Sequence, residues 1–438
     1  MIADRRERVV ELDKRHVWHP YTPMGDYLAE TNPLVIERAE GVRLYDVDGR
    51  SYLDGNASWW TALLGHRHPR LVRALERQAA ELCHVALAGI AHEPAARLSA
   101  ELVQAAPKGL ERVFFSDDGS TAVEVAMKLA LQYWSQAGRP SRRRFVALDG
   151  AFHGETLGAT ALGGVEIFRR PFASVLVECI HVPVAADGHE RAFAALERVL
   201  EEGSDSVAAV VLEPVVQGAA GMRVYDPDYL VRTRELTARH DVFLVFDEVF
   251  TGYGRTGPMW ASEHAGIAPD MMCVAKGFTG GMLPMAATLA SERIFEGFLG
   301  EPSRAFWYGH TFCGNPLGAA VAREVLAVYR EEQVLAHAAH KAERIARAFD
   351  SFSALPGVLA TRHRGMLAAL ELGRASGESG SSYLERAGWR VYTEALRRGA
   401  YLRPLGNVVY VTPALNITDA DLDELLGIVE ESVRAVTG

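Results

Sequence analysis

The sequence predicts an α/β protein whose core is a large, mostly parallel β-sheet covered by helices on both faces. Short, almost wholly apolar runs, which are typical of strands buried on both faces, recur through the middle of the chain. Longer segments between them, such as 122–134 and 229–239, carry apolar residues at helical spacing. The predicted strands are 113–115, 145–148, 207–212, 242–246 and 271–275. In a sheet of this kind, ligands bind beyond the carboxyl ends of the strands.

The two ends of the chain differ from this middle region. Strand candidates at 34–36, 42–46 and 52–54 predict a small antiparallel meander near the N-terminus. The C-terminal region is predicted to contain helices at 321–331 and 335–352, strands at 366–372 and 408–412, and a final helix at 419–436. At 438 residues the chain is long for one core. We therefore predict a large domain, 61–325, and a smaller α+β domain formed by 1–60 and 326–438. The Gly- and Ser-rich stretch 377–382 is expected to be a flexible surface loop.

The overall composition argues against membrane, secreted and nucleic-acid-binding proteins. Hydrophobic residues make up 49% of the chain, charged residues 23%, and the net charge is −10, which disfavours a broad contact with nucleic acid. The four cysteines form no CxxC pair, and the chain carries neither a signal-peptide core nor an apolar run of membrane-spanning length. We therefore expect a cytoplasmic protein. His66, His68, His84 and His92 fit no ligand spacing, so no metal site is predicted.

Lys276 and Asp247 are the residues most informative about function. Each ends or follows one of the buried runs, and a glycine-rich stretch, 277–281, follows the lysine. A lysine so placed can form an imine with an aldehyde, and a carboxylate can keep a pyridine nitrogen protonated. Because most lysines are solvated surface groups, it is the pairing of the two strand ends that predicts a pyridoxal phosphate site.

A candidate phosphate site lies at the turn after the first buried run. Thr121 and Glu124 have the spacing of a capping box, so a helix is predicted to begin here with free backbone N–H groups facing the end of the sheet. On its own this pattern also fits an ordinary capped helix. The aspartates at 117–118 would repel a phosphate, so their side chains are expected to point away and leave the amides of Gly119 and Ser120 to bind it.

A second glycine-rich motif is similar to a dinucleotide-binding fingerprint. Residues 252–257 match GxGxxG, and Asp270 lies near the spacing of a ribose-binding acid. However, residues 247–251 separate the preceding run from the first glycine, and no long amphipathic helix follows Pro258. We predict a tight loop beneath the cofactor. A nicotinamide oxidoreductase built on this loop is the alternative from another class of enzyme.

Taken together, these features resemble the class III, fold-type I aminotransferases over essentially the whole chain. The stretches that carry the likeness are 152–156 (FHGET), 213–218 (EPVVQG), 247–249 (DEV), 252–257 (GYGRTG), Lys276 and 311–316 (TFCGNP). Within that class the chain most resembles the adenosylmethionine–8-amino-7-oxononanoate aminotransferases of biotin synthesis. This closer likeness is carried by 18–22 (WHPYT), 58–60 (SWW), 92–95 (HEPA), 130–134 (ALQYW) and 402–404 (LRP). The resemblance implies pyridoxal phosphate-dependent transamination of 8-amino-7-oxononanoate, with S-adenosylmethionine as amino donor.

The resemblance also implies roles around the cofactor. Lys276 would hold it covalently and transfer a proton during catalysis, and Asp247 would pair with its ring nitrogen. Phe152 would stack on the ring. The phosphate would be bound by Gly119, Ser120 and, from a second subunit, Thr311. A homodimer with shared active sites is therefore implied.

The same resemblance implies how substrates bind. The catalytic residues would be Tyr21, Asp247 and Lys276, and the substrate-contacting residues would be Tyr21, Trp59, Trp60, Lys276, Gly309 and Arg403. The aromatic side chains would form a slot for a long aliphatic chain and face the sulfonium of the donor. Arg403 would bind the distal carboxylate of the keto acid. One site would serve both substrates in turn, as in ping-pong kinetics.

Some positions depart from the pattern of this subgroup. Phe152 stands where a tyrosine is usual, so it can stack but lacks a hydroxyl. Glu155 stands where aspartate is usual and reaches one methylene further toward the substrate amine, and Asp118 stands where serine is common. The alternatives are therefore another class III ω-aminotransferase, acting on a diamine or ω-amino acid with pyruvate, or lysine in place of adenosylmethionine as donor.

Overall fold

The computed structural model describes residues 2–373 and 383–438, so the predicted loop at 377–382 lies outside the described residues. In chain order the strands are β1 (Ile36–Glu40), β2 (Arg43–Asp46), β3 (Ser51–Asp54), β4 (Leu110–Ser116), β5 (Arg144–Leu148), β6 (Cys179–Val182), β7 (Val207–Leu212), β8 (Val216–Gln217), β9 (Arg223–Val224), β10 (Phe243–Asp247), β11 (Met271–Val274), β12 (Ala286–Ser291), β13 (Val358–His363), β14 (Ala368–Leu372), β15 (Ala400–Tyr401) and β16 (Val408–Val411). The helices are α1 (Ile2–His16), α2 (Met24–Glu30), α3 (Pro69–Glu81), α4 (Glu93–Ala105), α5 (Gly119–Gln136), α6 (Leu157–Leu162), α7 (Glu166–Arg169), α8 (His189–Gly203), α9 (Asp228–Arg239), α10 (Glu292–Glu296), α11 (Pro316–Glu331), α12 (Val334–Phe352), α13 (Ala387–Arg397) and α14 (Asp419–Thr437).

The central sheet has the strand order β4-β12-β11-β10-β7-β5-β6. Strands β11, β10, β7, β5 and β6 run parallel to one another. Strand β12 pairs with β11 and with β4, both times in antiparallel register. Every residue of β7 and of β10 is buried, as expected for strands covered by helices on both faces. The prediction of an α/β fold with a mostly parallel sheet is confirmed.

Two strands of this sheet are absent from the sequence prediction. One is β6, at the edge, and the other is β12, which lies between β4 and β11. The sequence of β12 is Ala-Ala-Thr-Leu-Ala-Ser, so it lacks the run of large β-branched or aromatic residues that favours strand over helix. Its antiparallel pairing also places β4 at the sheet edge beside it.

The two ends of the chain meet in a second sheet. Strands β1, β2 and β3 form the predicted antiparallel meander, and β15 pairs with β3 in parallel register, so that Ala400 lies opposite Leu53 and Tyr401 opposite Asp54. This pairing brings the residues that follow β15 next to those that follow β3. Strands β13, β14 and β16 form a separate antiparallel sheet, of which β13, like helix α13, is absent from the sequence prediction.

The carboxyl ends of three neighbouring strands lie together along one edge of the central sheet. Neighbouring strands β7, β10 and β11 run in the same direction, and Glu213, Asp247 and Lys276 lie at or just beyond their carboxyl ends. In sheets of this type that edge is where ligands bind. Among the described helices, none is both long enough and apolar enough to span a bilayer.

Candidate active site

Lys276 lies in an apolar environment beyond β11. It has a left-handed backbone, with φ +52°, and its Nζ lies 4.5 Å from the centre of the Trp60 ring and 5.9 Å from that of Phe250. Burial lowers the pKa of Lys276 to about 8, against the opposing negative charges of Asp247 and Glu213. Around pH 8 such a lysine is present in both its protonated and its neutral form, and the neutral form can act as a nucleophile and accept a proton.

Asp247 is held by a buried histidine. Its Oδ2 lies 2.8 Å from Nδ1 of His153, and its Oδ1 accepts a hydrogen bond from the amide of Val249 at 3.1 Å. Burial alone would lower the pKa of His153, but the hydrogen bond to Asp247 and the charges of Asp247 and Glu213 raise it overall. The imidazole therefore has an increased tendency to be protonated and to balance the buried carboxylate. The sequence analysis names His153 only as part of a motif and gives it no role.

Glu213 joins the loops that surround this pair. Its Oε1 accepts a hydrogen bond from the amide of Phe152 at 3.0 Å, and its Oε2 accepts one from the amide of Gly218 at 2.8 Å. Burial raises the pKa of Glu213 to about 7, although the nearby His153 and the two amides act in the opposite direction. Phe152, the residue predicted to stack on the cofactor ring, is thus fixed by its backbone at the end of β7.

The start of helix α5 differs from the prediction in its capping. The capping pair predicted at Thr121 and Glu124 is wrong: Asp118 is the N-cap residue, and its Oδ1 accepts a hydrogen bond from the amide of Thr121 at 2.9 Å. Thr121 completes the pair through its Oγ1, which accepts from the amide of Asp118 at 3.0 Å, whereas Glu124 accepts from the amide of Gly158, in the first turn of α6, at 2.8 Å. The amides of Gly119 and Ser120 form the first turn, where no intrahelical acceptor exists.

Gly119 is tightly packed against the loop after β10. A Cβ added to Gly119 would lie 2.7 Å from Cγ1 of Val249, a distance that real Cβ atoms do not adopt. Only glycine therefore allows the helix start to approach the strand end that carries Asp247. Ser120 faces another part of the site, since its Oγ accepts a hydrogen bond from the amide of Glu155 at 3.1 Å.

Aromatic side chains form a slot beside this centre. The Tyr21 ring packs edge-on against Trp59 at 5.4 Å and against Phe168 at 5.5 Å, and its hydroxyl donates a hydrogen bond to Oε1 of Glu155 at 2.8 Å. The guanidinium carbon of Arg403 lies 4.7 Å from the centre of the Trp59 ring. Burial raises the pKa of Glu155, and burial together with Glu155 raises that of Tyr21. The slot is therefore apolar along its walls, with one cation and one acid.

Phe168, on helix α7, is a member of this slot that the sequence analysis missed. Besides Tyr21 it contacts Phe152 at 6.0 Å and Tyr383 at 4.9 Å, both edge-on. Phe168 lies in the motif-free segment between the FHGET stretch and β6, so no sequence signal marks it. An aromatic residue at this spacing would be assigned to a helix face without the structure.

Two predicted residues lie in an exposed segment of the chain. Gly309 and Thr311 are both exposed, and neighbouring aromatic side chains are unusually accessible, with Trp307 at 81% and Phe312 at 57% exposure. Between them, His310 Nδ1 lies 2.9 Å from a carboxylate oxygen of Asp117, just before the start of α5. Within the described part of one chain, no hydrogen bond joins Thr311 to the first turn of that helix.

The GxGxxG stretch, residues 252–257, is a buried turn rather than a dinucleotide site. Arg255 at its centre is fully buried, and its Nη1 donates hydrogen bonds to the carbonyls of Met366 at 2.7 Å and Pro413 at 2.9 Å. A 3₁₀ turn at Ala261–Ala265 follows, in place of the long helix that a dinucleotide fold needs. The stretch thus connects the central sheet to the C-terminal region.

No cluster of three or more histidine, cysteine or acidic side chains with metal-binding geometry occurs in residues 2–373 and 383–438. The chemistry that this geometry supports is that of a half-buried amine near a buried carboxylate that is paired with a histidine. A helix N-terminus and an aromatic slot lie next to them.

Comparisons with known proteins agree with this geometry. The profile of the class-III aminotransferases matches residues 27–433. The adenosylmethionine-8-amino-7-oxononanoate aminotransferase of Nitratidesulfovibrio vulgaris is 42% identical over 99% of this chain and 83% of its own. The enzyme of the same name from Geobacter sulfurreducens is 41% identical over 97% of each chain.

Solved structures give the same result at the level of the fold. The adenosylmethionine-8-amino-7-oxononanoate aminotransferase of Methanocaldococcus jannaschii superposes with a TM-score of 0.94 at 34% identity, covering 98% of this chain and 99% of that one. An (S)-enantioselective omega-transaminase from Thermomicrobium roseum gives 0.93 at 30% identity over 99% of each chain. The resemblance seen in the sequence motifs is confirmed. This chain belongs to the class-III aminotransferase family.

Proposed function

We propose that this aminotransferase uses pyridoxal 5'-phosphate to transfer an amino group from S-adenosylmethionine to 8-amino-7-oxononanoate, forming 7,8-diaminononanoate in biotin synthesis. The observation that carries the proposal is the position of Lys276: its Nζ lies over the Trp60 ring and is influenced by the charge of Asp247, while the adjacent Trp59 lies against Arg403. The names of the curated relatives at 41–42% identity support the same pair of substrates.

The residues present fit the cofactor. Among the described residues, none accepts a hydrogen bond from Lys276 Nζ, so this buried amine is available for a covalent partner. Asp247 would hold the ring nitrogen, and the amides of Gly119 and Ser120 would hold the phosphate at the positive end of the α5 dipole. Phe152 would cover the ring. When bound, the cofactor supplies an aldehyde that takes up the amino group and a ring that accepts electrons.

Lys276 is suited to both of its proposed roles. With a pKa of about 8, its amine can lose and regain a proton near physiological pH, as a general acid–base group must. The Trp60 ring and Phe250 exclude water from one side of Nζ. Asp247 is held in its orientation because His153 and the Val249 amide both donate to it.

The slot fits a long keto acid with a charge at its far end. The rings of Tyr21, Trp59 and Phe168 would contact the aliphatic chain, and Arg403 would bind the distal carboxylate with its two-pronged guanidinium. Glu155, which accepts from the Tyr21 hydroxyl, supplies a negative group for an amine. The same rings could face the sulfonium of the donor by cation–π attraction, worth about 1 kcal/mol.

We further infer that the enzyme is a cytoplasmic homodimer with shared active sites. The exposed tryptophan and phenylalanine at 307 and 312 flank Gly309 and Thr311, and exposed large apolar side chains in a cluster are typical of an interface. Thr311 would then reach the phosphate of the partner, and Gly309 its substrate. Cys83, Cys179, Cys273 and Cys313 are free thiols, as is usual in a reducing compartment.

A donor comparison tests the substrates. The purified enzyme is incubated with 8-amino-7-oxononanoate and, in separate reactions, adenosylmethionine, lysine or an ω-amine, and diaminononanoate is quantified by mass spectrometry. We expect adenosylmethionine to give the highest kcat/KM. Parallel reactions of ω-amines with pyruvate are followed by the alanine formed. Faster turnover there would contradict the proposal and favour another class III ω-aminotransferase, whereas a higher rate with lysine would change only the donor.

The cofactor-binding lysine is tested separately. Borohydride reduction should remove the visible absorption band and leave a pyridoxyl adduct on Lys276, detected in a digest by mass spectrometry. Lys276→Ala should lose both the adduct and, by at least about 10³-fold, the turnover. Lys341→Ala is the matched control, because burial lowers the pKa of Lys341 as well, and its Nζ donates to the carbonyl of Leu415 at 3.1 Å. An adduct at another lysine would contradict the mechanism.

A further inference from the structure

The segment Ala57–Trp60 has a backbone conformation that L-residues rarely adopt in succession. Its four residues have φ values of +45°, +44°, +62° and +73°, and none of them is glycine. The left-handed region is disfavoured for such residues and normally occurs at single positions. Strain of this kind persists only where the surrounding structure maintains it, and it concentrates at functional sites. We refer to this segment as the left-handed turn.

One buried carboxylate holds the left-handed turn in place. Asp54 Oδ2 accepts hydrogen bonds from the amide and the hydroxyl of Ser58, at 2.7 and 2.8 Å. Asp54 Oδ1 accepts one from the amide of Asn56 at 3.3 Å, and Nε2 of His66 lies 2.9 Å from Oδ2. Asp54 is only 3% exposed, so these partners replace water as its solvation.

Asn56 connects the same turn to the C-terminal region. Its Oδ1 accepts a hydrogen bond from the amide of Arg403 at 2.5 Å, and its Nδ2 donates to the carbonyl of Tyr410 at 3.2 Å. Its own carbonyl accepts from the amide of Trp60 at 2.9 Å. The turn and the backbone that carries Arg403 therefore share one buried anchor.

The left-handed turn presents its two tryptophans to two parts of the active site. The Trp60 ring lies 4.5 Å from Nζ of Lys276, and the Trp59 ring lies 4.7 Å from the guanidinium carbon of Arg403. Because side-chain direction follows the backbone dihedrals, a right-handed or extended turn would move both rings away from these positions. Both contacts thus depend on a conformation that Asp54 stabilises.

We propose that Asp54 is a positioning residue of the active site: it maintains the left-handed turn and so keeps Trp60 against Lys276 and Trp59 against Arg403. In the described part of the chain, no hydrogen bond or ion pair joins Asp54 to Lys276 or to Arg403. The expected change in the KM for the keto acid rests on the proposed function, whereas the expected change in the conformation of the turn does not. The two parts are therefore tested by different measurements.

Asp54→Asn is the test variant and Asp46→Asn is its matched control. Asp46 is likewise a buried carboxylate in the same small sheet, 2% exposed. It accepts hydrogen bonds from the amides of Asp48 and Arg50 and from the Tyr52 hydroxyl, none of which belongs to the left-handed turn. The control loses a comparable buried network and reports the general effect on stability.

Hydrogen–deuterium exchange of the purified enzyme tests the turn without any substrate. The amides of Trp60, Thr61 and Ala62 donate to carbonyls of Asn56 and Ala57, so they are protected while the turn is intact. We expect these amides to exchange about tenfold faster or more in Asp54→Asn, and to keep the wild-type rate in Asp46→Asn. Wild-type exchange in Asp54→Asn would overturn the proposal, whatever the substrates of the enzyme are.

Kinetics test the consequence for the active site. Asp54→Asn should raise the KM for the keto acid about tenfold relative to Asp46→Asn, and adding Ser58→Gly should restore part of it, because glycine adopts positive φ without a steric penalty. Equal KM values in Asp54→Asn and Asp46→Asn would overturn the positioning role. If the wild-type enzyme does not use the keto acid at all, the proposed function fails and the exchange result alone decides this inference.

Discussion

At the scale of single residues, the chemistry of Lys276 depends on its neighbours. Burial beside Trp60 and Phe250 removes water from the ammonium and lowers its pKa to about 8, and the charges of Asp247 and Glu213 limit that shift. Above that pH the amine is mostly neutral and nucleophilic, and below it the amine is mostly protonated. If Lys276 binds the cofactor as we propose, reaction of the cofactor-free enzyme with pyridoxal phosphate should depend on pH through this group.

Arg403 is the residue on which the choice of keto acid depends most directly in our proposal. Arg403→Ala removes a bidentate partner for the distal carboxylate, and charged hydrogen bonds of this kind contribute about 1.5–3 kcal/mol. We expect the KM for 8-amino-7-oxononanoate to rise roughly 10- to 100-fold. The kcat at saturating keto acid should change much less, because the lost contact is made in the ground state and the transition state alike.

The control for Arg403 is Arg397→Ala, which removes an exposed arginine paired with Glu394 at the end of α13. It should leave both constants unchanged, since exposed pairs contribute little. Arg403→Lys should recover only part of the loss, because an ammonium cannot form the two parallel hydrogen bonds of a guanidinium. Steady-state kinetics with varied keto acid and fixed donor measure all three variants. An unchanged KM in Arg403→Ala would remove Arg403 from the substrate site.

At the scale of elements, the start of helix α5 combines capping with anion binding. Asp118 satisfies the Thr121 amide as an N-cap, and Gly119 allows the turn to approach Val249. The carboxylate that stabilises the helix also adds a negative charge next to the amides proposed to bind the phosphate. An aspartate at position 118 thus stabilises the helix but is expected to weaken phosphate binding.

Exchanging Asp118 for serine separates the effect on helix stability from the effect on phosphate binding. Serine caps a helix about as well as aspartate, so Asp118→Ser should leave the melting temperature nearly unchanged while it removes the charge. We expect pyridoxal phosphate to bind about two- to fivefold more tightly, as for a charge–dipole effect of ~0.5–1 kcal/mol. Asp118→Ala also removes the charge but should lose about 1 kcal/mol of stability. Cofactor titration and thermal melting distinguish the two variants. Weaker cofactor binding in Asp118→Ser than in the wild type would contradict the proposed repulsion between Asp118 and the phosphate.

The sequence predicted the elements whose physical signal is local. Fully apolar runs marked β7, β10 and β11 because strands covered on both faces contain little else. Alanine-rich β12 carries no such signal, and at α5 both Asp118 and Thr121 are good capping residues, so the sequence did not reveal which of them caps the helix. None of the four positive-φ positions of the left-handed turn, Ala57–Trp60, is a glycine or an asparagine. Tertiary hydrogen bonds from Asp54 determine it, and these are not visible in the sequence.

At the scale of the whole molecule, the proposed active site is assembled from distant parts of the chain. Tyr21 and Trp59 come from the N-terminal segment, Lys276 from the central sheet and Arg403 from the C-terminal region. The pairing of β3 with β15 brings the first and last of these together, which supports our proposal that 1–60 and 326–438 form one small domain. Spacing along the sequence could not predict such a convergence, and only the resemblance to a known family connected these residues.

The inferred sharing of active sites between two subunits is testable by mixing inactive variants. Lys276→Ala chains lack the amine but retain Thr311, and Thr311→Ala chains lack the proposed phosphate contact but retain Lys276. If Thr311 serves the partner, a mixed dimer has one site with both residues intact and one site with neither. Random reassociation of equal amounts should therefore restore about a quarter of the wild-type sites.

The contrary arrangement predicts a different result from the same mixture. If Thr311 served its own chain, every site in a mixed dimer would lack one of the two residues, and activity would equal the average of the two separate variants. Turnover is measured at saturating pyridoxal phosphate after denaturation and joint refolding, with unmixed samples treated identically. Phe312→Ser, in the same exposed segment, should weaken association, because it removes apolar surface from the proposed interface. When Phe312→Ser is added to both the Lys276→Ala and the Thr311→Ala chains, their mixture should recover less activity at low protein concentration. Such a loss would show that the restored sites depend on dimer formation.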